Sequence, residues 1–321
     1  MKRLIVCSAA FLSVAMFAAV LRADVKTVEK STFKLEGLMG AVLNRAAGGD
    51  AGLTSTIAVK GNRMSRMTGT TGEIIDLGEE KVYRVDVKKK EYTVSTFAEM
   101  RAEMEQLKTD AAKRQAQMNP QDKEQAGRPA KEYEFDVDVK NNAAEKRTIA
   151  GLDTHQAVLT ITMREKGKKL EEGGGMVLTN TMWLAPRVAA LDEIRDFNVK
   201  YFQAVYGDLF GGFDAQQLSA LSAMFPGIGS LSARMATESK KLTGTPVGST
   251  TVFETIKSAE QMANAPKAGG GLGGMLAARM MRGQSQQRTT TLTTTNEAMS
   301  IAPTAAAEDV AIPAGFKEKK K

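Results

Sequence analysis

Strict alternation of apolar and charged residues constrains this chain more than any other feature. Over Tyr133–Val139 the odd positions are apolar and the even positions are acidic. A repeat of two places all the apolar side chains of an extended strand on one side. The same alternation occurs in Tyr83–Val87 and resumes at Tyr92 and Val94 after a charged turn. Strands of this kind are typical of an antiparallel sheet with one solvated side.

Similar patterns extend over much of the chain. Further strands are predicted near 24–36, 53–60, 62–69, 73–77, 145–150, 154–163 and 176–184. The runs Ser249–Lys257 and Arg288–Asn296, the second rich in Thr, are predicted to pair as one more hairpin.

Helical patterns lie between these strands. Thr96 and Glu99 form a capping box, and it opens an apolar stripe at helical spacing. More helices are predicted from Leu191 through Val205 with an end at Gly207, from Asp214 to Pro226 and from Leu231 to Leu242. Strands, then helices, then strands again favour a segregated α+β architecture over repeated βαβ units.

The length of 321 residues allows two domains, but no linker divides the strands into two self-sufficient sets. We therefore expect a single domain over 24–321. Within it, residues 188–243 are predicted to be a helical insertion that covers the sheet. Residues 260–286, rich in Gly and Met, are predicted to be an insertion at the tip of the last hairpin.

The N-terminus has the pattern of an export signal. Lys2 and Arg3 precede an apolar run from Leu4 to Leu21, and the small residue Ala23 is the last before charge appears. This pattern predicts a signal peptide over 1–23 and a periplasmic or secreted protein. The run is also long enough for an uncleaved membrane anchor. Cys7 lies inside the run and not after it, which argues against a lipoprotein.

The formal net charge of +7 comes from the two ends of the chain. The predicted leader and the C-terminal residues Lys317–Lys321 hold most of the excess cations, so the rest of the chain is close to neutral. Nucleic-acid binding requires a basic face on the fold, and we expect none.

Residue types that carry catalysis are scarce. The chain has one Cys and one His, which excludes zinc sites of the Cys/His kind and Cys–His nucleophilic pairs. The chain has no Gly-x-Ser-x-Gly elbow that would provide a serine nucleophile for His155. The glycine run Gly269–Gly274 does not follow a strand, as a dinucleotide-binding loop would. The carboxylates of Glu134, Asp136 and Asp138 are spaced as a solvated strand face and not as a calcium loop. We expect no enzyme, no cofactor and no metal site.

Four segments carry a family resemblance: Glu80–Tyr92, Gly151–His155, Thr181–Pro186 and Ile312–Lys317. With these the chain resembles secreted bacterial domains of unknown function whose strand pattern is similar to that of the LolA/LolB-like lipoprotein-carrier superfamily. The resemblance implies a strongly curved antiparallel sheet forming an incomplete barrel, helices that plug its open side, and an apolar cavity that holds acyl chains. This chain is longer than those carriers, because of its helical block and its Gly/Met insertion.

The predicted cavity is lined from the apolar sides of the strands. The candidate residues are Tyr83, Val85, Phe135, Val137, Leu159, Ile161 and Trp183. The chain also holds 18 Met, a residue that adapts to flexible apolar ligands and that equally fills gaps in a core.

A second candidate surface is the predicted hairpin tip, which combines apolar and basic residues suited to an anionic membrane or a lipidated partner. Its residues are Leu272, Met275, Leu276, Arg279, Met280 and Arg282. A passive insertion explains the same residues, because hairpin tips accept extra sequence.

Two functions remain open from the sequence. The first is a cell-envelope protein that binds a lipid or lipoprotein acyl chain. The second is an envelope scaffold or protein-interaction domain with a filled core and no ligand. The presence of an apolar cavity between sheet and helices separates them, whereas the oligomeric state is not predicted.

Overall fold

The computed structural model describes residues 24–36, 40, 44, 49–117, 132–211, 228–264 and 286–320. These residues form an α+β fold built on one sheet of twelve strands, eleven of them in an antiparallel arrangement. The sheet is not closed. The predicted α+β class and the large antiparallel sheet are therefore confirmed.

The strands follow the predicted alternation closely. They are β1 Val25–Leu35, β2 Leu53–Lys60, β3 Arg63–Thr68, β4 Thr71–Asp76, β5 Lys81–Asp86, β6 Glu91–Thr96, β7 Tyr133–Ile149, β8 Leu152–Glu165, β9 Gly175–Ala185, β10 Thr245–Ile256, β11 Arg288–Ala302 and β12 Lys317–Glu318.

Strand order in the sheet is β12-β6-β5-β4-β3-β2-β1-β11-β10-β9-β8-β7. Strand β1 holds the two halves together, because it pairs with β2 on one side and with β11 on the other. The final strand β12 pairs in parallel with β6. The two edges of the sheet are therefore β7 and β12.

Five α-helices lie in the continuous described ranges, and the separately described Gly40 and Asn44 are also helical. The five helices are α1 Phe97–Gln117, α2 Leu170–Gly173, α3 Ala189–Gly211, α4 Ile228–Glu238 and α5 Ala259–Ala263. The predicted capping box opens α1: the Thr96 hydroxyl accepts from the Glu99 N–H at 3.1 Å, and the Glu99 carboxylate accepts from the Thr96 N–H at 3.0 Å.

One side of the sheet, which we call the helix side, carries Val59, Met64 and Val82. These residues share a buried cluster with Phe97 of α1 and Phe197 of α3. Further along the same side, α4 packs on β7, β8 and β9. Apolar burial against these helices is the main source of stability on this side.

The opposite side of β2–β5 is covered by the C-terminal segment. We call residues 303–318 the tail and this side of the sheet the tail side. Ala305 and Val310 of the tail pack on Ala58, and Phe316 belongs to the cluster around Tyr83. Both sides of this half of the sheet are therefore buried.

Two predictions differ from the structure, and one feature was missed. Residues 133–139 and 145–150 form the single strand β7, which has a bulge between Asn142 and Lys146. Helix α3 continues past Gly207, where the sequence predicted its end. The cover provided by the tail was not predicted, since its irregular backbone has no periodic signal.

Some predictions fall outside the described residues. They are the leader over 1–23, the whole of the helix predicted from Asp214 to Pro226, and the hairpin-tip residues from Leu272 to Arg282. The hairpin itself is present, since β10 pairs with β11. Within the described ranges, each helix is too short or too polar to cross a bilayer.

Asp76 holds the turn after β4. Its carboxylate accepts from the N–H groups of Gly78 and Glu79 at 2.8 and 2.9 Å and from Arg63 Nε at 2.7 Å. Burial acts to raise the pKa of Asp76, but these three donors outweigh it, so the pKa lies below its usual range.

This pKa predicts acid sensitivity. A carboxylate whose pKa is lowered by folding stabilises the fold above its unfolded pKa of about 4, and this stabilisation is lost as the pH falls through the folded pKa. We expect the unfolding free energy of the wild type to fall below about pH 4 more steeply than that of Asp76→Asn. Urea denaturation between pH 3 and pH 7 measures both slopes, and equal slopes would contradict the role of Asp76.

Candidate functional site

A row of apolar side chains crosses the helix side of the sheet over six neighbouring strands. Each residue faces the next in the strand register, so all six point to the same side. In order from β7 to β1 they are Val137, Ile161, Leu178, Phe253, Leu292 and Leu35. We call this set the apolar row. With strands about 4.8 Å apart, it is roughly 24 Å long.

The apolar row is half-buried throughout. At the β7–β8 end, Val137 and Ile161 pack against the buried cluster under α4. Leu178, Phe253 and Leu292 belong to none of the apolar clusters that the described residues form. The middle of the row is thus apolar surface that the described helices leave without a packed core.

Two further rows flank it. On one side Phe135, Met163 and Met176 are consecutive partners in the register, which adds two flexible thioether side chains. On the other side lies Asn180, paired with Leu159 and Thr251. The Oδ1 atom of Asn180 is buried, and no described group donates a hydrogen bond to it.

An unsatisfied buried acceptor is costly, because its hydration is lost and not replaced. Most buried polar atoms in folded proteins have a partner. The Asn180 Oδ1 atom therefore lies where a hydroxyl or amide donor from a bound molecule would stabilise the site.

A cleft of about 610 Å³ opens beside the apolar row. Met163, Met176 and Thr255 line its floor, and polar residues of α5 such as Gln261 line its mouth. Gly175 permits the close approach of strands here, because a Cβ at this position would overlap the carbonyl oxygen of Met163. The lining of the cleft mixes the thioether side chains of Met163 and Met176 with polar residues of α5.

The seven residues predicted to line one cavity lie in three places. Phe135, Val137, Leu159 and Ile161 lie on the helix side, within or beside the apolar row. Tyr83 and Val85 are on the tail side of the other half of the sheet, packed with Ile312 and Phe316. Trp183 alternates with Met182 and Leu184 along β9, so its side chain points away from the helix side. On that opposite side it packs near Ile149.

The strand carboxylates bind cations of the protein itself. Arg164 contacts both Glu134 and Asp136, and Arg234 of α4 donates to Asp136 at 3.1 Å. Asp138 is within 3.8 Å of Lys140. In the part of the chain that the structure describes, no group of three or more His, Cys, Asp or Glu is placed to hold a metal ion.

Sequence reasoning missed Leu178, Phe253 and Leu292 as site residues. Each lies in a strand that was predicted, yet their alignment depends on a register between β9, β10, β11 and β1 that local patterns do not specify. Comparison with protein-family models gives no match, and no curated protein matches the chain.

Proposed function

We propose that this protein is exported to the cell envelope and binds a lipid or lipoprotein acyl chain on the helix side of its sheet, along the apolar row. The observation that carries the proposal is the half-buried middle of that row, Leu178, Phe253 and Leu292, next to the unpartnered Oδ1 of Asn180. The leader-like residues 1–23 support export.

The dimensions suit an acyl chain. One leaflet of a bilayer has a hydrocarbon thickness of about 15 Å, half of the ~30 Å core. The apolar row, at roughly 24 Å, is longer than a chain of that length. Burial of apolar surface contributes about 0.8 kcal/mol of binding free energy per CH₂. An acyl chain therefore gains binding free energy even when only some of its CH₂ groups are buried on the apolar row.

The chemistry of the surroundings indicates an amphiphile. Met163 and Met176 adapt to chains of different shape. Asn180 supplies one acceptor beside an otherwise apolar surface, so a ligand with a hydroxyl or amide near its chain satisfies it. The incomplete-barrel curvature implied by the resemblance to the LolA/LolB-like superfamily belongs to the same proposal, since a curved sheet encloses a chain on its inner side.

The competing function is a scaffold without a ligand. The extensive tail-side packing at Tyr83 and Val85 favours it, because a sheet covered on both sides needs no ligand for stability. The two functions differ at Asn180, since a scaffold gains nothing from a buried acceptor to which no described group donates.

Replacing Asn180 by Leu tests the proposal. Removal of an unsatisfied buried acceptor is expected to raise the unfolding free energy of the ligand-free protein by about 1–3 kcal/mol. The same change is expected to weaken binding of 1-monopalmitoylglycerol about 2- to 10-fold, through loss of one hydrogen bond. Urea denaturation and displacement of a fluorescent fatty acid measure the two effects.

Asn142 is the matched control, because its Nδ2 donates to Gln156 at 2.7 Å on the opposite side of the sheet. Asn142→Leu is expected to lower stability and to leave monoacylglycerol binding unchanged. No binding by the wild type would favour the scaffold, and wild-type binding that Asn180→Leu leaves unchanged would contradict the role of Asn180 in the site.

A further inference from the structure

Two lysine-rich segments that are far apart in the sequence meet at one edge of the sheet. The first is the turn between β5 and β6, and the second is β12 with the two residues after it. We call the lysines of both segments the basic edge. They are Lys88, Lys89, Lys90, Lys317, Lys319 and Lys320, and all six are exposed.

Backbone hydrogen bonds hold the two segments side by side. The N–H of Lys317 donates to the carbonyl oxygen of Lys90 at 3.0 Å, and the N–H of Lys319 donates to the carbonyl oxygen of Tyr92 at 2.8 Å. Just before β12, Phe316 packs in the apolar cluster on the tail side. The sequence predicted no basic face, because only the pairing of β12 with β6 brings these segments together.

Carboxylates offset only half of the charge of the basic edge. Asp86 binds Lys89, whose Nζ lies 3.1 Å from its Oδ2 atom and whose N–H donates to its Oδ1 atom at 3.0 Å. The other carboxylates of these segments belong to Glu91 and Glu318. Six lysines against three carboxylates leave a net charge of +3. The other five lysines form no ion pair with any described residue, so their charge acts on the surroundings of the protein.

A cleft of about 540 Å³ beside the basic edge extends the positive surface. Arg66 and Arg84 line it together with Lys89 and Lys319. Besides two carboxylates counted above, the lining contains the carboxylate of Glu73. Both arginines are partners of Glu73 in the register, so these three side chains share the helix side and add one net positive charge.

The excess charge is confined to one end of β5. At the other end, the turn between β4 and β5 contains Glu79 and Glu80, and both have cations nearby. Lys81 lies 3.0 Å from Glu79, and Arg101 lies 3.8 Å from Glu80. The two turns are about 20 Å apart along the strand, which exceeds the screening length of about 8 Å at physiological salt. An anionic surface therefore attracts one end of this hairpin and so orients the protein.

The basic edge and the apolar row lie at the same end of the strands. The row reaches β1 at its last residue, Leu35. From β1 to β6 each strand runs antiparallel to the next, so the end of β1 and the end of β5 lie at one end of the sheet. A surface bound by the basic edge is thus at the end of the sheet that carries the apolar row.

We propose that the basic edge binds the surface of an anionic membrane through its phospholipid headgroups. Clusters of about four to eight basic residues bind such surfaces, and each lysine near the headgroups strengthens binding roughly fivefold. A lipid surface is favoured over nucleic acid because the acyl-chain ligand comes from a membrane, so this choice rests on the proposed function. Attraction to headgroups without insertion is reversible, as a protein that carries its ligand away requires.

Sedimentation with vesicles tests this proposal. The full chain is mixed with vesicles of phosphatidylglycerol and, separately, with vesicles of phosphatidylcholine, which have no net charge. We expect binding to phosphatidylglycerol that weakens at high salt, and much weaker binding to phosphatidylcholine. Binding through the apolar residues 4–21 would occur on both kinds of vesicle, so the difference between them measures the charge-dependent part.

An edge variant removes three of the lysines that have no ion pair. It combines Lys88→Gln, Lys90→Gln and Lys319→Gln, and it is expected to bind phosphatidylglycerol vesicles about 100-fold more weakly than the wild type. The control variant loses the same charge from exposed lysines on β1, on β7 and after α4. It combines Lys30→Gln, Lys146→Gln and Lys240→Gln, and a loss of less than about threefold is expected.

Equal losses in the two variants would overturn the proposal, because they would show attraction by net charge alone. Absence of salt-dependent binding to phosphatidylglycerol by the wild type would overturn it too, as would binding to a DNA duplex without binding to these vesicles. Binding of 1-monopalmitoylglycerol uses the apolar row and is expected to be the same in both variants and the wild type. The failure of this proposal is therefore seen separately from the failure of the acyl-chain site.

Discussion

Deletion of the residues after Ala302 is expected to cost about 4–7 kcal/mol of unfolding free energy, most of the stability of a typical domain. The deletion removes Val310, which packs on Ala58, and also Ile312 and Phe316, which pack against the buried Ile74 and Tyr83. It also removes the ion pair between Asp309 and Lys26, at 2.6 Å. Each buried apolar side chain contributes roughly 1.5–3 kcal/mol.

A shorter truncation is the control. Deletion of Lys320 and Lys321 alone keeps β12 and the buried tail residues, so a change of less than about 0.5 kcal/mol is expected. Thermal and urea denaturation measure both proteins. A deletion after Ala302 that is as stable and soluble as the control would show that the tail does not cover the sheet.

Phe97→Ala is expected to lower the unfolding free energy by about 3–5 kcal/mol. Phe97 is fully buried at the start of α1, and its ring centre lies 5.5 Å from that of Tyr201 of α3. It therefore joins both helices to the sheet. The cavity left by its removal cannot close without moving α1, α3 or the strands below.

Leu107→Ala is the matched control on the same helix, since Leu107 is 62% exposed although it continues the apolar stripe of α1. A change below about 0.5 kcal/mol is expected for this exposed site. Equal losses in the two variants would mean that α1 is packed along its whole length, contrary to the structure. Chemical denaturation of both variants in one buffer makes the comparison.

The strands could be predicted from the sequence because the alternation of apolar and polar residues is a local property. Tyr83–Val87 and Tyr133–Val139 each show which residues share a side, and the structure has a strand at each place. The sequence does not show which side is covered. Val82 and Tyr83 point to opposite sides and are both buried, because helices cover one side of β5 and the tail covers the other.

The relation between the two halves depends on long-range pairing. Strand β1 pairs with β11 in a register that aligns Phe33 with Thr294, and this register sets which side of β11 continues the helix side. A shift of one residue would invert every assignment beyond it. For that reason the sequence placed Val85 and Val137 on one surface, whereas the structure puts them on opposite sides of the sheet.

The most direct test of the proposed acyl-chain site is mass spectrometry of lipids extracted from the protein purified without detergent from the cells that naturally produce it. The wild type is expected to carry lipid close to one chain per protein. Phe253→Gln, in the middle of the apolar row, is expected to lose most of it, whereas Val252→Gln, on the opposite side of β10, is expected to retain it. Wild-type protein without lipid, or equal retention in the two variants, would contradict binding along the apolar row.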